Sequence, residues 1–441
     1  MNTRTPETYR DVAEAAWSWV LAQVRWDDGP WIPGSVTTPA ATDIPADRDG
    51  MHSGIGGLAH VLAEIRLARP WTAPEQDLAD GIAQRIRSRI AQETDATYFD
   101  GLVSMIGALT ALSADGVEQA IGRLEDLATD DGWSQTIIGG PRYLPGARVN
   151  DLTLGTAGVL LGALWARRHG AARAQQVAEH AAGVLLAEAE QVPTGTNWRF
   201  VPQRFHAGEA IEMPNLSHGV AGIAAALAAA GTEMTRPDLV AIARSGAEHL
   251  VSLGDRTGEG FVVPRSIPHT IPDVDLVTFT WCHGPTGTSS LFLALDLSGV
   301  EEVAGLSPLD WHRRCLHSVR TSGLPARLYP GFWDNDGRCC GTAGVGDVFL
   351  DSWHRAGNEE DLHFARELAD ALIERAVRDG PQACWRFVEH RAEEPLLPPG
   401  VGWMQGAAGI AAYLFRVSRV VGDPDGAAAV TRMDTWWACG S

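Results

Sequence analysis

The chain has 441 residues, of which 45% are hydrophobic and 20% are charged, so it can bury a substantial core. A formal net charge of -20 leaves no basic stripe to neutralise phosphates, which argues against binding to nucleic acid or to anionic membrane surfaces. No stretch approaches the roughly 20 apolar residues of a membrane-spanning helix, and the N-terminal segment lacks the pattern of a signal peptide. We therefore expect a cytoplasmic protein without a membrane span.

One short pattern, Gly-x-x-Gly followed by an apolar run, returns along the chain and indicates internal repeats. Its first glycines are Gly54, Gly101, Gly155, Gly219, Gly284, Gly341 and Gly406. In the second repeat Ser104 takes the place of the second glycine. The runs after the glycines are rich in Ala and Leu and nearly free of charge, which predicts helices buried on most of their circumference. Glycines in the first turn permit close backbone approach and are expected to leave the first N–H groups bare.

Amphipathic segments alternate with these apolar runs and predict outer helices with one wet face. They cover residues 6–24, 74–92, 117–128, 171–190, 236–252 and 358–377, and the segment around Cys315 looks like a further one. With no strand-rich region, the pattern predicts a single all-α domain over residues 1–441. The expected fold is an α/α toroid, a double α-barrel of seven inner and about seven outer helices, and an open superhelix is the alternative.

Segments rich in Trp, Pro and Gly follow several of the outer helices and predict long loops with short hairpins. They cover residues 194–205, 257–275, 328–338 and 383–400. Long loops on one face of a repeat structure commonly shape a substrate cleft. We therefore expect a cleft at the end of the fold where these loops lie.

Six cysteines all lie in the C-terminal part of the chain, and three of them occupy equivalent places in neighbouring repeats. Cys282 stands two residues before Gly284, and Cys339 and Cys340 stand immediately before Gly341. The repeat alignment brings these thiols together, and thiolates are strong ligands of zinc (Zn2+). Three protein ligands leave one tetrahedral position open, which is typical of catalytic zinc. The alternatives are that His283 or Cys384 closes the site as a fourth ligand, or that the cysteines are small buried apolar residues.

Two more polar residues are expected at the same end of the repeats. His218 lies one residue before Gly219 and is a candidate general acid or base, although it could equally be a satisfied core or cap group. Asp151, four residues before Gly155, reads first as a turn or cap acid. Placed near His218, it could orient the imidazole or take a proton. His52 and His283 occupy similar positions and could line the cavity, and Cys315 and Cys439 are assigned no role.

The seven glycine motifs, the Trp-Cys-His-Gly element at 281–284 and the Cys-Cys-Gly element at 339–341 resemble the lanthionine synthetase C-like (LanC-like) cyclases over essentially the whole chain. The resemblance implies an α/α toroid that closes thioether rings in lanthipeptide precursors, by Michael-type addition of Cys to dehydroalanine or dehydrobutyrine. It implies one zinc ion per chain on Cys282, Cys339 and Cys340, with His218 catalytic and Asp151 as its acidic partner. The expected partners are a dehydrated precursor peptide and a lanthipeptide dehydratase.

The chain departs from the family pattern at two positions. Cys340 stands where many members have histidine, and three thiolates make a more electron-rich site, which predicts a more reactive substrate thiolate. Thr278 stands where some members have arginine. Two alternatives to peptide cyclisation are a LanC-like protein that adds glutathione or another thiol to dehydroamino acids, and a non-catalytic, zinc-stabilised scaffold that binds a peptide. A prenyltransferase-like enzyme and an α/α-toroid glycosidase are weaker alternatives.

Overall fold

The computed structural model of the chain describes residues 4–37, 43–135, 142–208, 211–269, 275–326, 335–388, 396–425, 427 and 431–439. Helices dominate these ranges. Seven apolar helices follow the glycine motifs: α2 (Ile55–Ala68), α4 (Leu102–Ala111), α6 (Thr156–Arg168), α8 (Val220–Glu233), α10 (Pro285–Leu297), α12 (Thr342–Ala356) and α14 (Ala407–Gly422). Seven amphipathic helices alternate with them: α1 (Pro6–Gln23), α3 (Ala73–Arg89), α5 (Val117–Leu127), α7 (Ala174–Ala187), α9 (Pro237–Leu253), α11 (Pro308–Arg320) and α13 (Glu359–Arg375). A short helix, α15 (Trp436–Cys439), follows them.

Short antiparallel hairpins follow some of the amphipathic helices, as predicted. The strands pair as β1 (Arg25–Trp26) with β2 (Pro30–Trp31), β3 (Glu190–Val192) with β4 (Gly195–Asn197), β5 (Val377–Asp379) with β6 (Gln382–Cys384), and β7 (Arg386–Val388) with β8 (Leu396–Pro399). Parts of the predicted loops, at 270–274, 328–334 and 389–395, lie outside the described residues.

The chain forms two compact units, each assembled from segments that are separate in sequence. The first unit comprises Met1–Arg89, Gly107–Asp115 and Gly323–Arg432, and the second comprises Ile90–Ile106, Gly116–Ser322 and Met433–Ser441. In the first unit α14 packs on α1 and α2, and α12 packs on α13. In the second unit α6, α8 and α10 each pack on the amphipathic helix that follows, and α8 also contacts α6 and α10.

Burial confirms the two helix classes. All residues of α8 from Val220 to Gly231 are buried, so this helix has no wet face until its last turn. The outer helix predicted around Cys315 is α11, which buries Trp311, Cys315 and Val319 on one face. Of the helices in the described part of the chain, none combines the length and the apolarity needed to cross a bilayer.

The glycine motifs have a direct structural reason. Before each apolar helix the chain folds back over the first turn, so a Cβ on Gly287 would collide with the carbonyl oxygen of Trp281. One expectation is wrong, because the N–H groups in the first turn of these helices are not bare. Thr156 N donates to Val149 O at 2.9 Å, and other apolar helices show the same bond to the residue seven positions earlier. The loop thus satisfies donors that a helix terminus would otherwise leave unpaired.

Candidate metal centre and histidine pair

The loops that precede the apolar helices of the second unit are joined by backbone hydrogen bonds. Thr153 N donates to Ser217 O at 3.4 Å, and Ser217 N donates to Cys282 O at 3.0 Å. These three residues each stand two places before the first glycine of their motif. The bonds therefore link equivalent positions of successive repeats, as the alignment predicts.

The first unit repeats this arrangement. Cys339 N donates to Met404 O at 2.8 Å, and Met404 N donates to His52 O at 3.0 Å. Each of these residues again stands two places before its first glycine. Cys282 and Cys339 thus occupy the same structural position in their own repeats.

Cys282 lies in the second unit and is 4% exposed. Its Sγ is 3.4 Å from the hydroxyl of Thr280, which is 3.5 Å from the hydroxyl of Thr278. Thr278, which stands where some family members have arginine, therefore contributes to a short series of buried hydroxyl groups. The Thr280 hydroxyl is placed to donate to a Cys282 thiolate.

Cys339 and Cys340 lie in the first unit with their sulfur atoms 3.4 Å apart. Cys340 is buried and Cys339 is half-buried, and neither forms a disulfide bond. Two sulfurs bound to one tetrahedral zinc ion at about 2.3 Å would be separated by roughly 3.8 Å. The spacing of the pair therefore fits two ligands of one ion with little adjustment.

Cys282, Cys339 and Cys340 form a group of side chains that could hold a metal ion. It is the one such group of three or more His, Cys, Asp or Glu residues within the described ranges, and neither His283 nor Cys384 belongs to it. A set of three thiols matches the ligand preference of zinc and leaves one tetrahedral position for another ligand.

His218 and Asp151 meet in the second unit. His218 Nδ1 lies 2.5 Å from Asp151 Oδ2, and the Thr153 hydroxyl lies 3.1 Å from each of these two atoms. Asp151 is fully buried, whereas the His218 side chain keeps 23% of its surface exposed. Because Nδ1 is engaged by the carboxylate, Nε2 is the ring nitrogen that can serve another partner.

Asp151 also acts as the turn acid that its position before Gly155 predicts. Its Oδ1 accepts a hydrogen bond from Leu154 N at 2.7 Å, which closes the turn before α6. The other carboxylate oxygen binds His218. One side chain therefore shapes the loop and fixes the orientation of the imidazole.

Of the two other histidines singled out in the sequence, His283 lies in the second unit and His52 in the first. The ring of His283 is 5.3 Å from that of His218, and its Nδ1 has no hydrogen-bond partner among the described residues. Burial lowers the pKa of His283 to about 4, so this imidazole is neutral at neutral pH. His52 is half-buried, with its Nδ1 2.8 Å from the Ser53 hydroxyl.

The remaining cysteines have separate surroundings. Cys315 is fully buried on α11, and burial raises the pKa of its thiol. Cys384 is buried on β6, where burial and Asp379 raise the pKa of its thiol. Cys439 ends α15, next to buried Trp436 and Trp437, in agreement with a core-packing tail.

A buried arginine next to the cysteine pair was not anticipated from the sequence. Arg338 directly precedes Cys339 and binds the carboxylate of Asp347 on α12. The one signal for this contact is the presence of Asp347 and Asp351 in an otherwise apolar helix. Charges in such a position need a buried partner.

Comparison with known proteins agrees with the predicted family and fold class. The family model described as lanthionine synthetase C-like protein matches residues 45–419. The solved structure of nisin cyclase superposes with a TM-score of 0.59 and 13% sequence identity, covering 92% of this chain and 93% of that chain. This similarity confirms the predicted all-α, α/α-toroid fold class. No curated protein matches the sequence.

The fold alone does not determine the reaction. A D-mannose isomerase superposes with a TM-score of 0.51 and 12% identity, covering 93% of this chain and 97% of that chain. A cyclase and a sugar isomerase thus have similar folds, so the function has to be argued from the side chains at the site.

Proposed function

This chain belongs to the lanthionine synthetase C-like family, and from that premise we propose that it is a zinc-dependent lanthipeptide cyclase. Its reaction is the intramolecular Michael-type addition of cysteine thiols to dehydroalanine or dehydrobutyrine, which forms lanthionine and methyllanthionine rings. The proposal is carried by two sets of side chains at the same end of the repeats. One set is the three cysteines Cys282, Cys339 and Cys340, which could hold a metal ion. The other is the hydrogen-bonded pair of His218 and Asp151.

The three cysteines would hold the zinc ion, and their chemistry fits it. None of the three forms a disulfide bond, and the Cys339–Cys340 spacing is close to that of two ligands on one ion. When bound, zinc would lower the pKa of a substrate thiol so that it is a thiolate near neutral pH. Three ligands of the chain leave a position that such a thiol can reach.

His218 is the proposed proton donor. The substrate sulfur forms a bond to the β-carbon of the dehydro residue, and the electron pair of the double bond passes to the α-carbon as an enolate. His218 Nε2, as imidazolium, delivers a proton to the α-carbon and leaves a neutral ring. Asp151 accepts the Nδ1 hydrogen bond at 2.5 Å, which fixes the orientation of the ring. The thiol loses one proton and the α-carbon gains one, so product and substrate have equal mass.

The substrate class follows from this chemistry. A suitable substrate carries a free cysteine and a dehydroamino acid in the same chain, which describes a dehydrated precursor peptide. Dehydroalanine and dehydrobutyrine derive from Ser and Thr by loss of water, so a lanthipeptide dehydratase is the proposed partner that supplies the substrate.

The experiment uses the zinc-loaded full chain and a synthetic peptide that contains one cysteine and one dehydroalanine. Cyclisation removes the free thiol without a change in mass, so alkylation with N-ethylmaleimide before and after incubation reports the reaction by mass spectrometry. We expect the alkylated fraction to fall with time. A peptide with alanine in place of dehydroalanine is the control and should stay fully alkylated.

Two other outcomes would contradict the proposal. If glutathione is included and the peptide gains the mass of one glutathione without ring closure, the chain adds an external thiol instead. If the peptide binds but neither its mass nor its free thiol changes, the chain is a binding scaffold.

A further inference from the structure

Arg338 is buried beside the cysteine pair and held on two sides within the first unit. Arg338 is only 5% exposed, and its guanidinium carbon lies 4.1 Å from the centroid of the Trp403 ring. Its Nη1 donates to Oδ2 of Asp347, on the second turn of α12. A buried guanidinium is tolerated when a carboxylate and an aromatic face replace its water shell.

Asp347 is a strong anchor because it is shared by other arginines. Arg416 donates to Asp347 Oδ1 at 3.0 Å and to Asp351 Oδ1 at 2.5 Å, which joins α14 to α12. Burial opposes the charge of Asp347, but Arg338, Arg432 and Arg416 outweigh it and hold the pKa of this carboxyl well below its usual range. Asp347 is therefore charged throughout the neutral range.

The backbone next to Arg338 is fixed by the loop before α14. Arg338 N and Cys339 N both donate to Met404 O, each at 2.8 Å. One carbonyl oxygen thus holds the peptide groups on both sides of Arg338. The position of Cys339 is determined by the same contacts that seat the arginine.

Two glycines make room for Arg338. A Cβ at Gly344 would collide with the Arg338 carbonyl oxygen, and a Cβ at Gly409 would lie 2.8 Å from both Cγ and Cδ of Arg338. These are the second glycines of the sixth and seventh motifs. Backbone and side chain of Arg338 are therefore confined by α12 and α14 at the same time.

We propose that Arg338 is a positioning residue for the metal centre. Held by Asp347 and Trp403, it fixes the loop before α12 so that the sulfur atoms of Cys339 and Cys340 lie 3.4 Å apart. The inference rests on the proposed function, since it assumes that this pair binds the metal. Its physical basis is preorganisation: ligands already held in place lose less conformational freedom on binding, and residues outside the ligand set that orient them tune metal affinity.

The test compares Arg338→Lys with Arg416→Lys. Lysine keeps the charge but loses the planar group that stacks on Trp403 and binds carboxylates at fixed angles. Arg416 is a matched control because it is equally buried, at 4% exposure, and binds the same Asp347 without adjoining the cysteines. Cobalt serves as the probe, since thiolate ligands give it charge-transfer absorption that reports both affinity and coordination. Urea unfolding of each variant measures stability separately.

We expect Arg338→Lys to weaken cobalt binding about 10- to 100-fold, the range seen when residues that orient metal ligands are changed. Arg416→Lys should bind cobalt near the wild-type affinity even if it loses as much stability. Equal losses of affinity in the two variants, or no loss in Arg338→Lys, would overturn the inference. If Arg338→Lys does not fold, Trp403→Phe replaces it, because it keeps the ion pair and loosens the stacking, and unchanged cobalt affinity there would also overturn it.

The wild-type protein separates this inference from the proposed function. If the wild-type chain binds no cobalt through thiolates, the proposed metal centre itself is wrong. If the wild-type chain binds cobalt through thiolates and only the role of Arg338 fails, the centre stands without this positioning residue.

Discussion

Replacement of Asp151 by asparagine tests the histidine pair most sharply. The change keeps the size of the side chain and the oxygen that accepts from Leu154 N, so the turn before α6 should survive. It removes the charge of the fully buried Asp151 side chain, which lies 2.5 Å from His218 Nδ1. Hydrogen bonds to charged groups contribute about 1.5–3 kcal/mol. At about 1.4 kcal/mol per tenfold change in rate, ring closure should slow by roughly 10- to 150-fold.

The assay is the single-turnover rate of thiol loss in the dehydroalanine peptide, with zinc content measured on the same sample. Thr153→Val is the matched control, since the Thr153 hydroxyl touches both Asp151 and His218 but carries no charge. This variant keeps the Asp151 carboxylate and its hydrogen bond to His218, so it should slow the reaction less than Asp151→Asn does. If Asp151→Asn closes rings at the wild-type rate with unchanged zinc content, the carboxylate does not support His218 in catalysis.

Three further predictions concern the thiols, the glycine motifs and a buried carboxylate. Cys340→His should retain zinc but slow single-turnover ring closure by about tenfold, because imidazole makes the site less electron-rich than thiolate does; an unchanged rate would refute the idea. Gly287→Ala should lower the free energy of unfolding by about 1–3 kcal/mol, because its Cβ collides with a loop carbonyl. Gly183→Ala, which meets nothing within 4 Å on α7, should be neutral or stabilising in the same urea titration. Burial opposes the charge of Glu75, but its hydrogen bonds prevail and lower its pKa from 4.5 to about 2, so the stability it contributes is lost as pH falls through that window. Glu75→Gln should therefore weaken the dependence of the free energy of unfolding on pH in that range. An unchanged dependence would contradict the lowered pKa of Glu75.

The helices were predictable because their sequence signals are strong and local. Each glycine motif is followed by a charge-poor run, and each such helix begins one residue after its first glycine, as α6 does after Gly155. The amphipathic partners show the charge periodicity of a half-buried helix. The prediction of one domain over residues 1–441 stays a prediction.

The site could be predicted in part, because position within a repeat carries spatial information. Cys282 and Cys339 each stand two residues before the first glycine of their motif, and both lie at the same place in their loops. The contact between Asp151 and His218 was a hypothesis from neighbouring repeats, and the 2.5 Å distance places the two side chains together. Their catalytic roles, and those of the thiols, remain proposals.

Other features could not be predicted because they depend on contacts that sequence spacing does not encode. The first-turn N–H groups looked bare, yet the preceding loop supplies carbonyls to them, as Val149 does for Thr156. Arg338 ends the predicted loop at 328–338, and its pairing with Asp347 and stacking on Trp403 depend on how α12 and α14 pack. Tertiary packing, not local pattern, decides which partner a buried charge meets.

Zinc content and zinc-edge X-ray absorption, measured on the purified full chain, test most directly whether the three thiols hold a metal ion. We expect one zinc ion per chain with three protein sulfurs, from Cys282, Cys339 and Cys340, and one sulfur fewer in each single Cys→Ser variant. A chain purified in the presence of zinc that contains no stoichiometric metal, or a zinc ion whose sulfur count is unchanged by these substitutions, would contradict it.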